Sequence, residues 1–416
     1  GTYADFYPFF FFFKPEEAYK TTQRRDQLIE YLKQHAQWGF NRTKVDCSRL
    51  SPGCRSCGEG TWSCLFINNI CNATCFYCPT SQGELSEPTT QTVQFPEVET
   101  YIEYLRKFKF KGVSISGGEP FLTWEKTVHF IQRIKETFGS DIYMWLYTNG
   151  KLANIEKLKT LSNLGLDEIR FDIGAIDYDT EKVEWACQIF NTVTIEIPAV
   201  PEELDRLKAL LPHLSRIGVS HLNLHQIRCT PHNYKQLIDR GYSFLHGPRI
   251  SVLESELAAL ELIKYGLEHR IDLPVNYCSF IYKHRYQRLA ARKCYAPYLV
   301  NDFEDITETG LIRTLSLTGN HQELDKIKQQ FITDKIPEAH YAITNNGTKL
   351  SVKKYLWPYI SDSRLEMSVA YSKAFILPAV SYQNVFREIR LNGRKKVVIE
   401  RMPVLKKPAL TSAQKK

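Results

Sequence analysis

The segment Cys71-Asn72-Ala73-Thr74-Cys75-Phe76-Tyr77-Cys78 sets three thiols in a C-x3-C-x2-C run. Three thiolates on one tight loop can hold three irons of a [4Fe-4S] cluster and leave the fourth iron open to a ligand. A zinc knuckle that borrows a fourth cysteine is the competing reading of the spacing alone. Further on, Ser116-Gly117-Gly118-Glu119-Pro120 joins two glycines, whose backbone can approach a ligand closely, to a carboxylate suited to a bound ammonium group. A second set, Cys47, Cys54, Cys57 and Cys64, has C-x6-C-x2-C-x6-C spacing around Pro52-Gly53 and Gly58-Glu59-Gly60. Four soft ligands suit one tetrahedral iron or zinc ion in a structural role. A second iron–sulfur cluster, or free buried thiols, are the alternatives.

These residues need a scaffold that brings them together, and the apolar pattern supplies one. Strands are expected at 63–69, 112–116, 142–147, 168–173, 192–198 and 221–227. Amphipathic helices are expected between them, with Leu257, Leu260, Ile263 and Leu267 marking a last helix over 254–269. Six βα repeats imply a parallel sheet with helices outside, and six is short of a closed eightfold barrel, so the expected fold is α/β, a partial (β/α)6 barrel. Chemistry in such sheets gathers at the carboxyl ends of the strands. The cysteine run follows the first strand and Gly117, Gly118 and Glu119 follow the second; Thr148, Asn149, Arg170, Asp172 and Glu196 fall at or near later ends. A helix over 22–38 precedes the barrel, and 47–64 reads as a loop-rich metal module. The expected domains are 1–61 for helix and metal module, 62–270 for the barrel, 271–400 for an α+β domain, and 401–416 for a basic tail.

The chain has 416 residues, of which 43% are hydrophobic and 24% charged, an ordinary globular profile. Its 11 cysteines are odd in number, seven of them fall between Cys47 and Cys78, and they follow no secretory leader, which favours metal over a disulfide framework. Cys187, Cys229, Cys278 and Cys294 read as core thiols, with Cys278 and Cys294 as candidates for a ligand or a hydrogen-atom donor. The net charge is +8, and residues 391–416 supply nearly all of it, so a body-wide nucleic-acid footprint is not expected and the tail reads as a solvated terminus. No apolar run reaches the roughly 17 residues of a membrane span. The phenylalanine run at 9–13 reads as a surface or oligomer contact, and a cytoplasmic protein is expected. Nothing resembles a phosphate-cradling loop, a serine triad or an aspartate-rich magnesium site.

The cysteine run followed at this distance by Gly117-Gly118-Glu119 strongly resembles the radical S-adenosylmethionine (SAM) superfamily, over about residues 62–228. The resemblance implies a [4Fe-4S] cluster on Cys71, Cys75 and Cys78, with SAM chelated to the open iron and cleaved to a 5′-deoxyadenosyl radical. It also implies an electron donor such as a ferredoxin or flavodoxin. Tyr77 would lie against adenine, and Gly117, Gly118 and Glu119 would hold the methionine amino group. Thr148, Asn149, Arg170, Asp172 and Glu196 would make ribose and carboxylate contacts.

The run from Pro52 to Cys64, leading straight into the cluster loop, looks like the cobalamin-dependent arginine C-methyltransferases of methyl-coenzyme M reductase. The segment Leu273–Ser279 with Tyr282-Lys283 is similar to that group too. This likeness implies cobalamin held by the region after the barrel, with Tyr277, Tyr282 and Tyr355 to Trp357 as candidate surface. It implies C-methylation of a protein or peptide side chain at an unactivated carbon. None of the 11 histidines sits in an Asp-x-His-x-x-Gly loop. The alternatives are a cobalamin-free radical maturase that cross-links or epimerises a peptide, and a non-enzymatic zinc scaffold.

Overall fold

Residues that alternate between apolar and polar along each strand build the central sheet of the computed structural model, which describes residues 7–10, 14–91, 93–246, 249–361, 363, 365–375 and 393–402. Seven parallel strands run in sequence order across it: β1 (Trp62–Phe66), β2 (Gly112–Ser116), β3 (Tyr143–Thr148), β4 (Glu168–Phe171), β5 (Val193–Pro198), β6 (His221–His225) and β7 (Val275–Cys278). Val113, Leu146, Ile169, Ile195 and Leu222 point one way and are essentially unexposed. They pack beneath helices such as Trp124–Phe138, Ile155–Asn163 and Leu204–Arg216, whose buried stripes include Ile131, Leu158 and Leu211. The alternate residues, Arg170, Thr194, Glu196, Asn223, His225, Asn276 and Cys278 among them, face the other way.

The expected partial barrel is therefore present, with one strand more than the six repeats suggest. β7 pairs in parallel with β6, Leu222 opposite Val275 and His225 opposite Cys278. Its four residues are too short for a periodic signal, and Pro274 just before them reads as a breaker. The barrel unit accordingly extends to Ala290 rather than 270, and a second unit begins at Ala291. Antiparallel pieces cover both edges of the sheet, Lys44–Val45 on β7 and Thr89–Thr90 on β1.

Two elements differ from expectation before the barrel. Helix α1 spans Pro15–His35, starting and ending earlier than 22–38. Within the stretch read as loop, Pro52–Glu59 forms a second helix, α2. Ser51 caps it through Cys54 N–H, Pro52 takes the first turn, where no N–H is needed, and Gly60 ends it at φ 75°. Gly53 is tight against the Arg170 guanidinium and the Trp145 ring, and a Cβ on Gly112 would stand 3.0 Å from that of Ser56. These contacts seat α2 against β2, β3 and β4.

The second unit holds an antiparallel sheet around Ile312–Thr318, which pairs with Lys349–Val352 on one side and Glu366–Phe375 on the other. Helix His321–Thr333 buries Leu324 and Phe331 in a core with Leu317, Leu350, Leu356 and Ile360. The phenylalanines at 11–13 and residues 403–416 of the basic tail lie outside the described residues. No helix among the described residues is long and apolar enough to cross a membrane.

Candidate functional site

A cavity of about 490 Å³ opens at the carboxyl ends of the strands. Cys71, Cys75 and Cys78 line it together with Tyr77, Gly117, Gly118, Thr148, Asn149, Asp172 and Glu196. The cysteine loop continues from β1, and Asn68 locks it to the loop after β2. The Asn68 amide donates to Glu119 O at 3.0 Å and to Thr123 Oγ1 at 2.8 Å, while its Oδ1 accepts from Gly118 N–H at 3.1 Å. The cysteine loop also turns on itself, with Cys78 N–H donating to Cys75 O at 3.0 Å. Burial pushes the Cys75 thiol up to about 11, with the Asp172 charge adding to it. Three half-buried thiols on one loop, facing one cavity, are the donor set a site-differentiated [4Fe-4S] cluster takes.

The two glycines serve the fold first. A Cβ on Gly118 would stand 1.8 Å from Ile70 O, and one on Gly117, at φ 131°, would stand 2.5 Å from Asn68 O. Only glycine lets the second loop press against the first this closely, and both glycines still line the cavity.

Glu119 departs from the expectation of an ammonium contact. It is fully buried and is not among the residues lining the cavity. Its carboxylate accepts from Phe121 N–H at 3.0 Å, Thr148 Oγ1 at 2.9 Å and Asn149 N–H at 2.7 Å. Burial raises its pKa, and these donors oppose the shift. Its task here is to fix the end of β3. Asn149, so held, donates to Asn72 Oδ1 at 2.7 Å and lies 3.6 Å from Cys71 Sγ.

Arg170 is also displaced from its expected role. It is 2% exposed and is not among the residues lining this cavity. Its guanidinium donates to Glu168 at 3.2 Å, Glu196 at 2.5 Å and Ser51 at 3.0 Å, with the Trp145 and Tyr147 rings against it. Inward-facing side chains of neighbouring strands must satisfy one another where water is excluded, and this network does so for the terminal guanidinium nitrogens, while Arg170 Nε makes no hydrogen bond among the described residues. Glu196 does reach the cavity, held also by His225 Nε2 at 2.6 Å. Burial alone would raise the Glu196 pKa, but Arg170 and then His225 hold it well below the carboxylate range. The Tyr77 hydroxyl donates to Asp172 at 3.0 Å, and burial lifts the Asp172 carboxyl to about 6 against that bond.

The four-cysteine set is not gathered as one group. Cys64 lies on β1 with its side chain in the strand-end cavity, its thiol pushed up to about 11 by burial. Cys54 and Cys57, one turn apart on α2, instead meet β6 and the residues after β7. Asn223 donates to Cys54 Sγ at 3.3 Å and the Tyr282 hydroxyl to Cys57 Sγ at 3.8 Å. The third thiol there is Cys278, 2.7 Å from the Lys44 ammonium, and Lys44 also bonds Asn276 at 2.6 Å. Burial disfavours the Lys44 charge, but Cys278, Cys54 and Cys57 raise its pKa overall. Cys47 hydrogen-bonds Lys44 O at 3.4 Å, near the same group. Among the described residues no three or more His, Cys, Asp or Glu side chains close into a metal shell. The structure thus does not gather 47-54-57-64 as one ion's shell: Cys64 lines the strand-end cavity, although it and Cys57 pack against the same Trp62–Trp145 cluster.

His225, Gln226, Arg228, Arg249, Phe280 and Lys283 also line the cavity and carry no motif. Lys283 Nζ lies 2.6 Å from His225 Nδ1, and burial lowers the pKa of both groups. The alternation His221-Leu222-Asn223-Leu224-His225 is the signal that could have placed His225 on the inner face. Tyr277 and Tyr282, expected as cofactor surface, are 3% and 1% exposed within the barrel unit and serve as core.

Residues 65–197 match the model of the radical SAM superfamily. A protein of Methanocaldococcus jannaschii, provisionally named a glycyl-radical enzyme activating enzyme, is 31% identical over 317 residues, which cover 72% of this chain and 80% of that one. A GTP 3′,8-cyclase of Limosilactobacillus fermentum is 33% identical over 118 residues, 28% of this chain and 33% of the cyclase. Among solved structures, SuiB of Streptococcus suis bound to its precursor peptide SuiA matches at 12% identity and TM-score 0.39, covering 70% of this chain and 58% of that one. TsrM of Kitasatospora setae, a radical SAM methyltransferase with cobalamin and a [4Fe-4S] cluster bound, matches at 12% and 0.32, covering 42% and 39%. The chain belongs to the radical SAM superfamily.

Proposed function

We propose that this radical SAM enzyme modifies a protein or peptide side chain by C-methylation at an unactivated carbon, with methylcobalamin as methyl donor. The observation that carries its radical part is the convergence of Cys71, Cys75 and Cys78 with Gly117, Gly118, Thr148 and Asn149 on one cavity. When loaded, the cluster supplies the electron that cleaves SAM, which requires an external reductant of the ferredoxin or flavodoxin kind. The chain's own residues orient and enclose. Glu119 sets the end of β3, Asn149 abuts Cys71, and Tyr77, bonded to Asp172, lines the same cavity beside the cluster cysteines. Methyl transfer is supported by the likeness of Pro52–Cys64 and Leu273–Ser279 to the arginine C-methyltransferases. Of the candidate corrinoid surface, Tyr277 and Tyr282 are buried, whereas Tyr355 and Trp357 are exposed on the second unit.

A second reading follows from the relative that spans most of the chain. In it the radical abstracts a hydrogen from a glycine of a partner enzyme and no methyl group moves. The test is anaerobic turnover of the reconstituted full chain with reductant, cobalamin and candidate peptides, with the products of SAM followed by mass spectrometry. C-methylation yields both 5′-deoxyadenosine and S-adenosylhomocysteine, plus a peptide heavier by one methyl group. Activation yields 5′-deoxyadenosine alone and a protein-centred radical in the paramagnetic resonance spectrum. Absence of 5′-deoxyadenosine under all conditions sinks both.

A further inference from the structure

Beyond β6 the chain continues into a short antiparallel ribbon with residues 249–252. Val252 N–H donates to Ile227 O and Cys229 N–H to Ile250 O, both at 3.0 Å, which sets Arg228 opposite Ser251. Residues opposite one another share a face of such a ribbon, and so do residues two apart. One face is therefore Ile227, Cys229, Ile250 and Val252. All four are 5% exposed or less, in an apolar core with Leu237 and Phe244. The opposite face is Arg228, Arg249 and Ser251, and both arginines line the cavity that holds the cluster cysteines.

Two guanidinium groups on one partly buried wall call for an anion. Nε of Arg228 and Nε of Arg249 are each buried without a hydrogen-bond partner among the described residues. The cavity's own carboxylates are committed elsewhere, Asp172 to the Tyr77 hydroxyl and Glu196 to Arg170 and His225. Lys283, hydrogen-bonded to His225, also lines the cavity. The apolar face anchors the ribbon in the core, so the arginines are presented by a fixed frame and not by a free loop.

We infer that Arg228 and Arg249 form a seat for an oxyanion of the substrate. The inference rests on the reading of this cavity as the place where SAM and substrate meet. Paired planar forks suit a carboxylate or a phosphate, and on a peptide substrate the group is an acidic side chain near the modified residue. SAM brings a carboxylate of its own, so the experiment must separate the two.

The full-length chain, reconstituted anaerobically and saturated with SAM, is titrated calorimetrically at low salt with a glutamate-rich octapeptide, its glutamine counterpart and inorganic pyrophosphate. The expected result is that the glutamate peptide or pyrophosphate binds and the glutamine peptide does not. Binding should weaken at least tenfold in Arg228→Gln/Arg249→Gln and less in the corresponding Lys pair, with SAM affinity unchanged. Which probe binds names the oxyanion as carboxylate or phosphate. Binding of neither, equal binding by the Gln pair, or a matching loss of SAM affinity overturns the inference, the last by giving the arginines to SAM. Should the double variant fail to fold, the two single Gln variants are read by the same criteria. Substrate-free 5′-deoxyadenosine formation by the wild type is measured alongside. Its absence counts against the radical reading and leaves the anion titration to be judged on its own.

Discussion

Glu119 is placed to anchor the site without touching a ligand, and the two roles predict opposite outcomes. Replacing it with alanine strips the acceptor from Phe121 N–H, Asn149 N–H and the Thr148 hydroxyl in a fully buried setting. A buried donor left unsatisfied costs about 1–3 kcal/mol. The Thr148 oxygen keeps a partner in Gly150 N–H, so the loss falls mainly on the two backbone donors. A destabilisation of about 3–5 kcal/mol is expected, a large fraction of the roughly 5–15 kcal/mol that holds a typical domain folded. Glu119→Gln keeps one carbonyl acceptor but turns an amide N–H toward another donor, so about 1–3 kcal/mol is expected. The assay pairs urea unfolding followed by circular dichroism with equilibrium SAM binding to reconstituted protein. Stability should fall in the order wild type, Gln, Ala, and SAM affinity should fall only as far as the end of β3 is disturbed. A Gln variant as stable as wild type that no longer bound SAM would show that the carboxylate meets the ligand, and the anchoring argument would fail.

Four further outcomes follow from the same geometry. The triple Cys71→Ala/Cys75→Ala/Cys78→Ala variant should fold, lose about four irons per chain by iron assay, and form no 5′-deoxyadenosine, because no thiolate remains to hold a cluster. Gly118→Ala forces a methyl group into Ile70 O and should cost 3 kcal/mol or more by urea unfolding (about the upper range for overpacking), whereas Gly83→Ala meets nothing within 4 Å and should be neutral. Burial depresses the His225 pKa, so the neutral ring contributes stability that is present above about pH 6.5 and is lost as pH falls through the lower folded value. Its ring should therefore stay neutral by NMR where exposed histidines have charged, and His225→Gln should flatten that part of the stability profile. Cys278→Ser should perturb the Lys44 environment together with Cys54→Ser and Cys57→Ser, seen as lower melting temperatures, while Cys64→Ser should leave that group intact and alter only the cavity lining.

The parts of the barrel legible in the sequence are those whose signal is local. Val113 and Ile115, Ile169 and Phe171, and Ile195 and Ile197 mark strands because every second position lies under a helix. The helix over Pro52–Glu59 was hidden by its own glycines and proline, which read as turns, although Ser51, Pro52 and Gly60 are cap signals in the right order. β7 was hidden by brevity, since four residues flanked by proline acquire strand identity only from β6 beside them.

The site follows the same division. The cysteine run and the glycine pair are local motifs, and the structure brings them to one cavity because they end adjacent parallel strands. What spacing cannot supply is which alternate side chain faces which across the interior. Cys47, Cys54, Cys57 and Cys64 look like one group along the chain, yet the pleat sends Cys64 into the strand-end cavity, while β7 delivers Cys278 to Cys54 and Cys57 from more than two hundred residues away. Arg170 and Glu119 follow the same rule. A charged residue inside a parallel strand, or buried at its end, must first satisfy its neighbours in the low-dielectric interior, and only the charges left over, such as Arg228 and Arg249, remain for a ligand.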